Sequence, residues 1–414
     1  MQVIKLSWVP FELVDTAGDD VSKDLPLLDF DALRPPCERI TGVHDAWRCK
    51  LRQFFNERIA PFLDDWSASG TFPDEVYHQA AAAGILGMGF PEALGGSIEN
   101  ADLYHRIIFA EELHRLGSGV VFADLATHWI GLPPVVKQGD PRLDEAVVRP
   151  ILAGQKKIAF AVTEPGGGSD VSRITCQAEK TADGFRVSGS KTLISGALRA
   201  DFFLTAVRTG GEGMQGISLL LMDAKVEGIR REPVPGLQWY NASVGTIHFD
   251  QAPVASHGLI GPENQGFFGL LPQFNIERFS GVAAALAMAR ASAAEAIAFA
   301  KERQVFGQRL IDHQATRHKL VDMVRALRVA YSYLDHCVER FERGENMVAD
   351  LCMLKVQATT TLEHVAREAL HVLGGTAYQG SARLERIYRE SRIFAVGGGT
   401  EEVLRDMTAK QLKF

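Results

Sequence analysis

The strongest constraint in this sequence is a change of hydrophobic period that happens twice. Between about residues 45 and 154 apolar side chains recur every three or four positions. Leu51, Phe54, Phe55, Ile59 and Phe62 mark one face, Val76, Ala80, Ala83 and Leu86 a second, and Tyr104, Ile108, Glu111 and Leu113 a third. That is the spacing of helices with one buried stripe. Near Lys156 it gives way to short runs rich in β-branched and aromatic residues, at 158–162, 185–187, 202–207, 217–222 and 246–249. Glycine-rich turns at 166–168, 210–211 and 213 separate them. Strands this close together, with no helical stretch between them, predict a small antiparallel sheet or barrel rather than a βαβ unit. From about Gly266 the helical spacing returns. Phe279, Val282, Leu286, Ala293 and Ile297 share one face, and Leu320, Met323, Val324 and Leu327 another. The expected fold is therefore mainly α with a central β domain. It divides into an irregular extension over 1–44, a helical domain over 45–157, a β domain over 158–264 and a helical domain over 265–414.

Composition narrows the function classes. Lys and Arg number 44 against 51 Asp and Glu, a net charge of −7. A dedicated nucleic-acid binder would be basic, with its cations clustered on one face, so that class is excluded. Five scattered cysteines without CxxC spacing predict neither a disulfide framework nor a zinc site, and suggest a reducing compartment. The first residues lack the basic and apolar pattern of a signal peptide, so a cytoplasmic protein is expected. The longest weakly charged apolar stretch, 281–300, contains Arg290 and Glu295 and is mostly alanine. It reads as a buried helix, not a membrane span. The first forty residues carry four prolines and no sustained period, so they either drape over the body or are disordered.

Two decoys fall away. The stretch from Gly184 to Thr192 is a P-loop pattern with one residue too many, and it lies among strands, where a hairpin with a surface Lys191 is the expected reading. Twelve histidines are dispersed without ligand pairs, so no metal site is expected. Three other stretches carry more. Phe160 to Asp170 runs from a strand through Thr-Glu-Pro into three glycines, Ser169 and Asp170. Glycines there let backbone N–H groups approach a flat or phosphorylated ligand. Arg303, Phe306, Gly307 and Gln314 form a second block, and an Arg at a helix end can clamp a pyrophosphate. Leu373-Gly374-Gly375 with Tyr378, and then Gly397-Gly398-Gly399-Thr400 opening a helix, form the third.

Together with Phe90-Pro91-Glu92 and Gly95-Gly96, these blocks occur in the order of the acyl-CoA dehydrogenase flavoenzymes. The sequence resembles that family from about residue 45 to 414. The resemblance implies a helical N-terminal domain, a β middle domain and a C-terminal four-helix bundle. It implies FAD held between the middle domain and the C-terminal helices, with a second subunit completing the site in a homodimer or homotetramer. Phe160, Val162, Thr163, Gly168 and Ser169 would line the flavin and its ribityl chain, with Ser195 near the ring. Arg303, Phe306 and Gln314 would contact the dinucleotide, Arg303 and the Gly374–Gly375 loop reaching across from the partner. Thr400 and Glu402 would meet the cofactor at the last helix.

The resemblance also implies the reaction: removal of an α-proton from an acyl-CoA thioester and of a hydride from the β-carbon, leaving a trans-2-enoyl thioester. An electron-transfer flavoprotein would be the oxidant. Most members place the catalytic Glu just before Gly-Thr in the last loop, where this chain has Gly398. A minority, including isovaleryl-CoA and long-chain dehydrogenases, place it on a helix directly before an Arg, and here Asn275-Ile-Glu277-Arg278 stands at that place. Glu277 is therefore expected to be the base and the Gly398 N–H an oxyanion donor, with Asn275 and Arg278 on the substrate side. Glu401 and Glu402 are the rival bases, and Glu164 is expected to be structural. Leu193 stands where the family often has Trp or Tyr over the flavin, and the 240–243 segment lacks a frequent signal for the CoA side. An acyl chain on a carrier protein is an alternative substrate. An acyl-CoA oxidase or a flavin monooxygenase of the same fold is an alternative activity, and a non-catalytic flavin binder a third reading.

Overall fold

The computed structural model describes residues 28–119, 121–235, 243–379 and 382–414. The N-terminal helices are α1 (Gly42–Arg58), α2 (Leu63–Ser69), α3 (Glu75–Ala82), α4 (Leu103–His114), α5 (Phe122–Leu125), α6 (His128–Gln138), α7 (Pro141–Leu143) and α8 (Arg149–Leu152). Leu51, Phe54, Phe55 and Ile59 are buried as their spacing predicts. Phe62 is not. α1 stops at Arg58, a short 3-10 turn containing Pro61 follows, and Phe62 stacks on Trp66 at the surface. Asp102 caps α4, accepting from the His105 N–H, and both His44 and His105 turn a ring nitrogen toward its carboxylate. One potential ligand atom from each of these three residues lies within 4.8 Å of the others, a grouping that the scattered histidines did not predict.

The middle domain is one eight-stranded sheet in the order β6-β7-β3-β2-β4-β5-β8, with β1 beside β4. Its strands are β1 (Ile158–Ala161), β2 (Gln177–Lys180), β3 (Gly184–Ile194), β4 (Phe202–Arg208), β5 (Ile217–Asp223), β6 (Ile229–Pro233), β7 (Gly245–Ala255) and β8 (Leu259–Ile260). Pairing is antiparallel except at β4, where β1 and β2 lie parallel to it. The apolar run of β5 is continuous because both faces of the strand are covered. Leu219 and Leu221 join the core under the N-terminal helices, while Leu220 and Met222 join the core on the other face.

α9 (Gly266–Glu302) leaves the sheet directly, and Gly266 is required at that junction. A Cβ there would lie 2.6 Å from the Leu219 backbone nitrogen of β5. The hairpin β9 (Gln304–Val305) and β10 (Gln308–Arg309) follows, then α10 (Gln314–Glu342), α11 (Val348–Leu373), α12 (Thr376–Gln379), α13 (Ala382–Val396) and α14 (Glu401–Leu412). α9 starts well before Pro272, which therefore lies in its second turn. The helix is long and apolar enough to cross a bilayer by length and composition, but 78% of its most apolar window is buried in protein. α4, α10, α11 and α13 surround it. Its alanines let those neighbours approach closely, and its one buried cation, Arg290, is answered by the Phe30 carbonyl, the Tyr331 hydroxyl and Glu111. The described part of the N-terminal extension thus packs on the body. Leu33 is fully buried against the bundle, and Arg34 pairs with Glu111 of α4 and Asp335 of α10.

Candidate active site

The start of α9 reaches past the sheet toward β1. The Phe274 ring meets Phe160 of β1 and Phe267 of its own helix, each at 6.2 Å between centroids. Glu277 lies three residues beyond Phe274, on the same side of the helix. It is half-buried, and among the described residues its carboxylate accepts no hydrogen bond. Burial pushes its pKa above the usual carboxylate range, against the opposing charges of Arg278 and Lys355. Arg278 donates to Asn275 Oδ1 at 3.1 Å, so these two expected substrate-side residues hold each other.

Lys355 of α11 ties Glu277 to the last loop. Its ammonium is buried and donates to the carbonyls of Gly397 and Gly399 at 2.5 and 2.6 Å. Burial and the charge of Arg278 pull its pKa down to about 8, while Glu277 and Glu401 resist. Between those carbonyls Gly398 has φ +69°, and a Cβ on it would have Lys355 Nζ, 3.9 Å away, as its near neighbour. Thr400 then caps α14 through the Val403 N–H. The rival carboxylates are occupied or exposed. Glu401 accepts from Thr359 Oγ1 at 2.7 Å and pairs with Arg405, and Glu402 is exposed. Sequence reasoning missed Lys355. Its signal was a lone cation among Leu351, Cys352, Leu354 and Ala358 on the buried face of a helix.

On the sheet side, Glu164 is a structural anchor. It accepts from the Lys191 ammonium at 2.8 Å, from Thr175 N–H and Oγ1, and from the Cys176 N–H. Lys191 is fully buried, which corrects the expectation of a surface lysine on a hairpin. The Glu164 carboxylate, placed under the loop, draws it inward. With that anchor below, residues 166–170 stand exposed, Gly168 and Ser169 among them, while Phe160, Val162 and Thr163 are half-buried beside them. The Thr192 N–H donates to the Thr163 carbonyl at 2.9 Å, which brings Leu193 and Ser195 to the same edge. Leu193 has φ +57° and is 52% exposed. An open glycine loop, hydroxyls and an uncovered apolar side chain in one place fit a flat ring carrying a polyol chain.

Arg303, Phe306, Gln314, Gly374 and Gly375 lie elsewhere. The 26 residues from Glu277 to Arg303 rise about 39 Å along α9 and its end, farther than one FAD molecule reaches. Arg303, Gln314, Gly374 and Gly375 are all exposed, and Phe306 is 97% so. One chain does not bring the two sets together.

Comparison with known sequences identifies this arrangement. Residues 41–155, 159–252 and 264–413 match the N-terminal, middle and C-terminal domains of acyl-CoA dehydrogenases. The chain belongs to the acyl-CoA dehydrogenase family. It is similar to acyl-CoA dehydrogenase AFT10-1 of Alternaria alternata, 30% identical over 91% of this chain and 93% of that one. It is likewise 30% identical, over 86% of this chain and 94% of the relative, to the CarC subunit of the caffeyl-CoA reductase-Etf complex of Acetobacterium woodii. The crystal structure of a putative acyl-CoA dehydrogenase from Mycobacterium smegmatis superposes with a TM-score of 0.87 at 36% identity, covering 90% of this chain and 98% of that one. Members of the family are FAD-dependent oxidoreductases acting on CH–CH groups, and this chain is one of them.

Proposed function

We propose that the protein oxidises an acyl-CoA thioester to the trans-2-enoyl thioester, with Glu277 taking the α-proton and the Gly398 N–H donating to the thioester oxygen. The chemistry that bound FAD would supply is acceptance of the β-carbon hydride. The observation that carries this reading is Glu277 itself: an unpaired, half-buried carboxylate of raised pKa, one turn from Phe274 and in the field of the lysine that holds the Gly397–Gly399 loop. A thioester α-carbon is a weak acid, so a base must be in reach and the carbonyl must be polarised as the proton leaves. A raised pKa strengthens the base, and a backbone donor in the loop that Lys355 holds would supply the polarisation.

Two companions go with this reading, one from geometry and one from a relative. The separation of Glu277 from Arg303 supports a homo-oligomer in which one copy supplies the Glu277 end of a site and its partner the Arg303, Phe306 and Gly374 end. The relative that is a subunit of a reductase-Etf complex supports an electron-transfer flavoprotein as redox partner. An oxidase of the same fold would instead consume oxygen and release peroxide on turnover.

Anaerobic flavin bleaching against a panel of acyl-CoA thioesters tests the reading. Glu277→Gln should retain FAD and lose flavin reduction by more than about a hundredfold, the lower end of the range for one acid–base group. Near-normal bleaching in that variant would remove Glu277 from the mechanism.

A further inference from the structure

We infer that Lys355 is a positioning residue for this reaction, aiming the Gly398 N–H by holding the two carbonyls on either side of it. The inference rests on the reading of Glu277 as base and Gly398 as donor. A trans peptide is planar, with its C=O and N–H pointing in opposite directions. The Gly397 carbonyl and the Gly398 N–H belong to one such plane. Fixing that carbonyl on Lys355 Nζ at 2.5 Å therefore fixes the N–H away from the lysine. The Gly399 carbonyl, held at 2.6 Å, does the same for the Thr400 N–H. The restraint is needed because Gly398 and Gly399 have φ of +69° and +109° in a stretch of three glycines, where the planes are otherwise free to turn. Among the described residues no other side chain donates to the carbonyls of 397 and 399.

The same ammonium acts on Glu277. Two cations face that carboxylate, Arg278 from its own helix and Lys355 from α11, and Lys355 is in turn faced by Arg278 and by Glu401 of α14. Lys355 thus restrains the donor and favours the ionised form of the base. A purely structural role also exists, because a buried lysine holding the carbonyls just beyond the last residue of α13 stabilises that helix end. The two roles predict different measurements.

Lys355→Met, assayed as the FAD-loaded full-length protein below its unfolding temperature, separates them. Positioning predicts that flavin reduction slows about tenfold or more, as expected when a transition-state donor loses its aim. Half-saturation by acyl-CoA should stay within about threefold. The pH midpoint for base ionisation should move upward, because the charge that favours carboxylate is gone. A cap alone predicts a lower unfolding temperature with wild-type reduction rate and midpoint, and that result overturns the inference. If Lys355→Met does not fold, Lys355→Gln carries the test, since its amide can still donate to one carbonyl. Slowed reduction with a raised midpoint supports the inference, and wild-type behaviour in both overturns it. Glu277→Gln is run in parallel. Normal reduction there sinks the assignment of the base. A dead Glu277→Gln beside a normal lysine variant sinks only the role of Lys355.

Discussion

Gly398 has room for a side chain and a backbone that resists one. A Cβ there meets no backbone, but φ +69° costs a non-glycine residue about 1–2 kcal/mol. Glutamate at 398 would place a second carboxylate near Lys355, whose charge would keep it ionised. Gly398→Glu is therefore expected to restore flavin bleaching to a Glu277→Gly chain by about tenfold or more without reaching wild type. No recovery would argue that the two positions do not address one substrate carbon. Buried histidines set the acid limit of stability. His114 bonds the Ala110 carbonyl and His128 the Leu86 carbonyl, and burial drives both pKa values down to about 4. Each group is neutral when folded and protonates more readily when unfolded, so its contribution is complete above pH about 6.5 and is lost as pH falls toward 4. Between pH 7 and 5 that is about 2 kcal/mol per histidine. Urea midpoints should fall over that interval, and His114→Gln with His128→Gln should flatten the fall. At this scale the sequence was only partly informative. Glu277 drew attention because position 398 lacks a carboxylate and an Arg follows residue 277. Lys355 and Lys191 did not, because burial of a lysine depends on partners 42 to 44 and 27 residues away along the chain.

Helices announced themselves, and the edge strands and the short, exposed β2 did not. α9, α10 and α11 bury long apolar stripes, so their spacing alone marks them. β6 reads Ile-Arg-Arg-Glu-Pro and lies at the sheet edge, β2 exposes three of its four residues, and β8 has two residues. None of these offers an apolar run, so their pairing is visible only once β7, β3 and β5 are in place. The parallel pairing of β1 with β4 was hidden for a similar reason, since strand direction depends on how the chain returns and not on side-chain pattern. One cap can be weighed directly. Asp102 accepts from the His105 N–H and from two imidazoles. Asp102→Ala should lower stability by about 1–2 kcal/mol, read as a lower urea midpoint. An unchanged midpoint would mean that the imidazoles and the helix end find other partners.

Across the whole molecule the feature that matters most is the length of α9. It carries Glu277 about three turns from its start and delivers Arg303 just beyond its finish, about 39 Å away. Arg303→Ala should therefore shed FAD on gel filtration while leaving the Glu277 end intact, and retained yellow colour would count against the dinucleotide role. The described extension works at this scale as well, since residues 30–34 bond α4 of the first domain to α9 and α10 of the last. If each site borrows from two copies, damage at opposite ends of α9 resides in different sites when chains mix. An Arg303→Ala chain co-expressed with a Glu277→Gln chain would form hybrids in which one centre inherits both lesions and the other neither. Two inactive alleles would then complement each other, yielding activity that neither gives alone.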